Sequence, residues 1–137
     1  MHSCEAEIRP RYAETDQMGV IYHGNYFTWF EVGRSEFFRT LGYSYKQLED
    51  EGIILPVVEC KCKYIKSAKY DVPVIVRTTI EELKGVRITL KYEVLRKEDR
   101  ELLAKGTTLH AFVDKELKPV KIKRVNPQIW EMLSAAR

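Results

Sequence analysis

From Gly24 to about Leu41 the chain sets Tyr26, Trp29, Phe30, Gly33, Phe37 and Leu41 at i, i+3, i+4 spacing, with Phe27 and Phe38 as a second stripe. A helix apolar over so much of its circumference has to be covered on nearly every side, because large apolar surface left in water costs roughly 25 cal/mol per Å². The fold is thereby restricted to one that wraps a helix. At about 17 residues and 1.5 Å per residue, the helix spans roughly 25 Å, comparable with an eight-residue strand. Gly24 or Asn25 suits its N-cap, and Gly42 its end.

The wrapper is read from the remaining segments. Ahead of the helix, Ala6, Ile8 and Pro10 alternate with Glu7 and Arg9, as in a half-buried strand. Behind it, Tyr45 to Glu51 reads as a short polar helix stopped by Gly52. Four strand segments follow. Val57 to Ile65 sets Val58, Cys60, Cys62 and Tyr64 on one face and Glu59, Lys61 and Lys63 on the other. Val74 to Leu83 is entered through Pro73 and closed by the Lys84-Gly85 turn. Val86, Ile88, Leu90, Tyr92 and Val94 alternate cleanly with polar residues, and Leu95 breaks the period as a bulge. Leu102 to Val113 carries Gly106, a sign of close backbone approach or a bend. Lys118 to Ile122 reads as a short edge strand, and Asn126-Pro127 starts a last helix through Leu133. The order predicts an α+β fold, a long helix covered by an antiparallel meander whose consecutive strands pair.

A chain of 137 residues with 45% hydrophobic content suits one domain, 1–137, with its own core. Twenty-three basic against 20 acidic residues is too balanced for a nucleic-acid partner, although clustered lysines can serve a small anion. Cys4, Cys60 and Cys62 form no disulfide framework and fit a reduced, cytoplasmic setting. Cys60 and Cys62 read as small core residues, since His23 and His110 supply no zinc spacing. No apolar run approaches a membrane span, and Met1 to Glu5 lacks a signal peptide's basic and apolar regions.

The chemistry concentrates between Tyr12 and Tyr26, where acid, imidazole, amide and glycine lie between apolar segments. On local grounds Asp16 is either a turn residue ahead of Gly19 or a functional carboxylate. The stretch R-Y-A-E-T-D-Q-M-G-V-I-Y-H-G-N-Y-F-T-W-F-E-V-G-R, Arg11 to Arg34, resembles the signature of hotdog-fold acyl-CoA thioesterases of the 4-hydroxybenzoyl-CoA thioesterase family, in the branch of the Tol-Pal-cluster enzymes. The resemblance implies a hotdog fold, a central helix wrapped by a five- or six-stranded antiparallel sheet, in a homodimer or homotetramer that binds acyl-CoA between subunits. It places the catalytic aspartate on Asp16, as nucleophile or general base. The His23 amide becomes an oxyanion donor and the His23 imidazole a neighbour of the thioester. Tyr12 is expected to hydrogen-bond Asp16 or line the pocket, and Gly24 and Asn25 to meet the substrate. Lys66, Ser67, Lys69, Tyr70 and Arg87, with Lys91 beside them, are the candidates for the CoA phosphates. No metal or redox cofactor is implied, and no membrane insertion.

Glu31 is the alternative base, but standing three residues before Arg34 it reads first as an ion-pair partner. A noncatalytic acyl-CoA binder would have no use for a carboxylate beside the thioester. A hydratase or dehydratase on the same fold would need an acid and histidine arrangement absent here. Short, medium and aryl thioesters, on CoA or an acyl carrier protein, are the expected substrates.

Overall fold

The computed structural model describes residues 1–137. Strand β1 (Cys4–Ile8) and a single 3-10 turn (Tyr12–Glu14) lead into helix α1 (Asn25–Thr40), capped by Gly24 and followed by Gly42 at φ +93°. Helix α2 (Tyr45–Asp50) starts on a reciprocal cap between Ser44 and Gln47. Strands β2 (Val57–Tyr64), β3 (Val74–Lys84), β4 (Arg87–Arg96) and β5 (Leu102–Ala111) follow, then helices α3 (Ile122–Val125) and α4 (Pro127–Ala136). Asn126 caps α4 through the Ile129 N–H, with Pro127 in its first turn.

The strands form one antiparallel sheet in the order β1-β3-β4-β5-β2, with α1 across one face. Only β3, β4 and β5 keep the expected meander. Strand β2 pairs with β5, Cys62 opposite Gly106 and Tyr64 opposite Ala104, and so sits at the far edge. The connection after it cannot turn back as a hairpin. The Ile65 and Lys66 N–H groups both donate to the Leu103 carbonyl, and the Ala68 carbonyl accepts from Ile21, which ties the segment to the loop before α1.

Two further expectations change with that placement. Cys60 and Cys62 are not core residues, because an edge strand has no layer over it: Cys60 is exposed and Cys62 only half-buried, while Val57, Val58 and Tyr64 are 50%, 62% and 42% exposed. Lys118 to Ile122 forms no strand; Val113 bridges Pro119, and the chain then enters α3. The bulge at Val94/Leu95 is present.

Helix α1 buries Tyr26, Trp29, Phe30, Gly33, Phe37 and Phe38, but a stripe of Thr28, Glu31, Val32 and Arg39 stays open because the sheet covers one side only. Phe30 stacks on Tyr92 at 4.4 Å between ring centres. Gly106 makes this possible: a Cβ there would lie 2.2 Å from the Lys61 carbonyl and 2.7 Å from the Phe30 ring.

Arg34 does not pair with Glu31. It turns inward, 9% exposed, donating to the Tyr92 hydroxyl at 3.3 Å with its guanidinium 5.8 Å from the Tyr45 ring centre. Tyr92 lies 2.6 Å from the Thr108 hydroxyl, and Thr108 lies 2.7 Å from Nε2 of the fully buried His110. The Leu55 carbonyl, 3.1 Å from His110 Nδ1, can only accept. That fixes every proton: Nδ1 donates to Leu55, Thr108 to Nε2, Tyr92 to Thr108, and Arg34 to Tyr92.

Burial, with the Arg34 charge adding to it, pushes His110 from 6.5 down to about 4. Folded His110 is thus neutral where the unfolded chain takes up a proton, so stability is complete above pH 6.5 and falls as the pH drops toward 4. The full effect is of order 3 kcal/mol. Thermal midpoints recorded across that window should fall for the wild type and fall less steeply for His110→Gln; equal slopes would exclude His110 as the group.

Candidate active site

Glu14, Thr15, Asp16 and Asn25 shape the loop between the 3-10 turn and α1. Glu14 is 6% exposed, and its carboxylate accepts from the Arg11 N–H at 2.8 Å and from the Trp29 indole N–H at 3.0 Å. Its carbonyl accepts from the Tyr22 N–H and from the Asn25 side-chain amide, both at 2.8 Å. Thr15 bridges Ile21, which closes the loop into a narrow hairpin. Asp16 turns its tip: one carboxylate oxygen accepts from the Met18 N–H at 2.8 Å, and the Asp16 carbonyl accepts from Gly19, at φ +79°. The second oxygen has no partner within the chain.

The loop forms one wall of an open cleft of about 240 Å³. Asp16, Met18, Val20, Ile21 and His23 line it from the loop, and Tyr26 from α1. Tyr64, Ile65, Lys66 and Ser67 face them from the end of β2. The His23 and Gly24 N–H groups, at the N-terminus of the 16-residue α1, have no acceptor in the chain. They are open donors reinforced by the helix dipole, the arrangement that holds an anion or a carbonyl oxygen gaining charge. The Tyr64 hydroxyl donates to the His23 carbonyl at 2.8 Å, and the Tyr22 ring stands 4.4 Å from the imidazole. A Cβ on Gly24 would fall 2.8 Å from the Tyr22 ring.

The structure therefore brings together Asp16, His23, Lys66 and Ser67, with Gly24 and Asn25 directly behind them. Asn25 serves the loop through its bond to Glu14. Four candidates are placed elsewhere. Tyr12 is 76% exposed on the outer side of the 3-10 turn, edge-on to Tyr70 at 5.7 Å, and bonds neither Asp16 nor the cleft. The turn itself explains this, because its tight winding throws Tyr12 outward while Glu14 is buried. Tyr70 follows Tyr12. Lys69 lines a separate groove with Ala68, Val72 and Arg96, and Arg87 opens β4 opposite Ala111. Lys66 is paired with Glu101, while Glu31 lies on the exposed stripe of α1.

Two residues were not singled out by sequence. Glu14 looks like any polar loop residue, and only its place three residues after Arg11 hints at a cap. Tyr64 reads as one more member of an alternating strand. Removing the Glu14 carboxylate leaves the buried Trp29 indole N–H and the part-buried Arg11 N–H without acceptors, at about 1–3 kcal/mol for a buried donor. Glu14→Ala should therefore cost about 2–4 kcal/mol in urea denaturation, and a loss under 1 kcal/mol would show that this tie does not hold the loop.

Residues 10–133 match the thioesterase-like superfamily. The chain is similar to YneP of Bacillus subtilis, 40% identical over 128 residues that cover 93% of this chain and 92% of that one. It is similar to the acyl-CoA thioesterase YbgC of Haemophilus influenzae, 34% identical over 115 residues, 82% of this chain and 83% of that one. Its fold matches a DHNA-CoA thioesterase from Staphylococcus aureus with a TM-score of 0.93 at 42% identity, over 98% of this chain and 91% of that one.

Proposed function

This chain belongs to the thioesterase-like superfamily and is an acyl-CoA thioester hydrolase of hotdog fold, and from that premise we propose that Asp16 is its working carboxylate. The observation carrying the reading is the meeting, in one cleft, of a carboxylate with a free oxygen and a helix N-terminus with two open N–H groups. A thioester whose carbonyl oxygen sits at the His23 and Gly24 amides gains negative charge there as its carbon is attacked, and each such donor contributes roughly 100- to 1000-fold in rate. Asp16 either attacks the carbon itself, expelling the CoA thiolate and leaving an anhydride that water opens, or takes the proton of an attacking water. Both routes break the C–S bond and yield a free acid and CoA. The His23 imidazole orients the water. Lys66 and Ser67, at the mouth of the cleft, meet the CoA phosphates. The reaction so written needs no metal or redox cofactor.

The acyl range spans short, medium and aryl groups. Tyr26, Tyr64 and His23 give the cleft aromatic walls suited to a flat acyl group, and the likeness to a DHNA-CoA thioesterase supports the aryl end. Residues 1–137 act as one domain, in a cytoplasmic setting that suits three free thiols. No helix of the chain is long and apolar enough to cross a membrane. The working form is a homo-oligomer, a dimer or a tetramer of two dimers, joined first along β2. That strand is an edge with unpaired backbone and exposed Val57 and Val58, a surface that pairs with a second copy rather than with water.

Thiol release from acetyl-, butyryl-, hexanoyl-, palmitoyl- and benzoyl-CoA tests the chemistry. Steady turnover of several of these should fall at least 100-fold in Asp16→Asn with folding and mass unchanged. Equal rates would move the role to Glu31, and binding without thiol release would make the chain an acyl-CoA binder. Light scattering should give an even multiple of 16.1 kDa, and Val58→Glu should lower it. A fully active 16.1 kDa species would refute the oligomer.

A further inference from the structure

Tyr64 stands on the edge strand β2, yet its hydroxyl reaches the first turn of α1. It donates to the His23 carbonyl at 2.8 Å, whereas the helix's own bond to that oxygen, from the Tyr26 N–H, is a long 3.4 Å. The side chain supplies what the helix start leaves weak. Its ring is held edge-on to Tyr26 at 5.0 Å and to His23 at 6.1 Å, so the hydroxyl has a fixed direction. No peptide bond is cis, and across a trans peptide the carbonyl and the next N–H point opposite ways. Whatever grips the His23 oxygen therefore aims the Gly24 N–H. A donor on the carbonyl also polarises the amide and strengthens the bond its N–H makes, by roughly 10–30%.

Resting on the reading of the His23 and Gly24 amides as oxyanion donors, we propose that Tyr64 is a positioning residue for this reaction. Its hydroxyl orients and polarises the His23–Gly24 peptide from β2. Partial desolvation of its ring, with the neighbouring Cys62 adding to it, raises the phenol to about 12, so it remains a donor across the working pH range and is not a proton shuttle. Because Tyr64 belongs to the edge strand, the seating of β2 also sets the Gly24 donor at the start of α1.

Tyr64→Phe keeps the ring and removes only the hydroxyl. Its kcat and kcat/KM should fall together by about 10-fold or more with KM unchanged, the pattern of an interaction made in the transition state. Its pH profile, thermal midpoint and mass should match the wild type. A ketone analogue of benzoyl-CoA, with CH2 in place of sulfur, gives a readout independent of Asp16. Its infrared carbonyl band should move to lower wavenumber on binding the wild type and move less on binding Tyr64→Phe. If the band responds in this way while Asp16→Asn keeps full activity, the carboxylate reading fails and this one stands. Wild-type kcat in Tyr64→Phe overturns the proposal. So does a loss of kcat with an unaltered band shift, or one accompanied by unfolding or a change of mass.

Discussion

A carboxylate withdrawn from water must have its oxygens satisfied inside the protein, and Glu14 meets that demand with donors from two separate parts of the chain, while its carbonyl gathers two more. One oxygen binds the backbone of Arg11, the other the indole of Trp29, and its carbonyl takes Tyr22 and Asn25. These bonds fasten both ends of the loop that carries Asp16 to the same helix. Asp16 is two residues past Glu14, and His23 lies between Tyr22 and Asn25. Their separation is thus set by a buried residue that does not line the cleft.

The helix is fixed to the sheet by a comparable device. Arg34 is a buried cation with no carboxylate beside it, held by the Tyr92 hydroxyl and the Tyr45 ring. Burial lowers and the surrounding tyrosines raise its proton affinity, and the net shift is upward, so it remains charged. From Arg34 the hydrogen bonds run in one direction through Tyr92, Thr108 and His110 to Leu55, linking α1 to β4, β5 and the segment before β2. A relay with a fixed sense tolerates no register slip of α1, because a shift of one residue would strand the cation. Phe30 on Tyr92 and the bare backbone of Gly106 then set the helix at its closest approach.

Alternation in sequence says that two faces differ, not what lies beyond them. In β4 the pattern and the burial agree, since Ile88, Leu90, Tyr92 and Val94 are all at 0% exposure. Strand β2 alternates just as well and is open on both faces, because its place at the edge follows from the tied connection after it and not from its own residues. The helix was legible from its aromatics; its open stripe was not, since a sheet can cover only one side. Arg34 beside Glu31 looks like a surface pair until the core supplies hydroxyls that reach it first. Beyond the spacing of Glu14 from Arg11, Glu14 and Tyr64 carry no local mark of the bonds they make, because each reaches a residue 15 or 41 positions away.

The two readings of Asp16 met in the sequence, turn residue and reactive carboxylate, are physically compatible. A turn of this kind needs one oxygen, to bind the Met18 N–H, and leaves the other unengaged at the lip of the cleft. The bond to Met18 fixes the rotation of the carboxylate, so the free oxygen points in a set direction without any side-chain partner to lock it. A stronger clamp, such as a lysine or arginine, would neutralise the charge on which the role proposed for Asp16 depends. A weaker one would let the group swing into water. The same hydrogen bond that shapes the loop thus keeps the acid both aimed and available, while Glu14 beneath it carries the structural load that Asp16 does not.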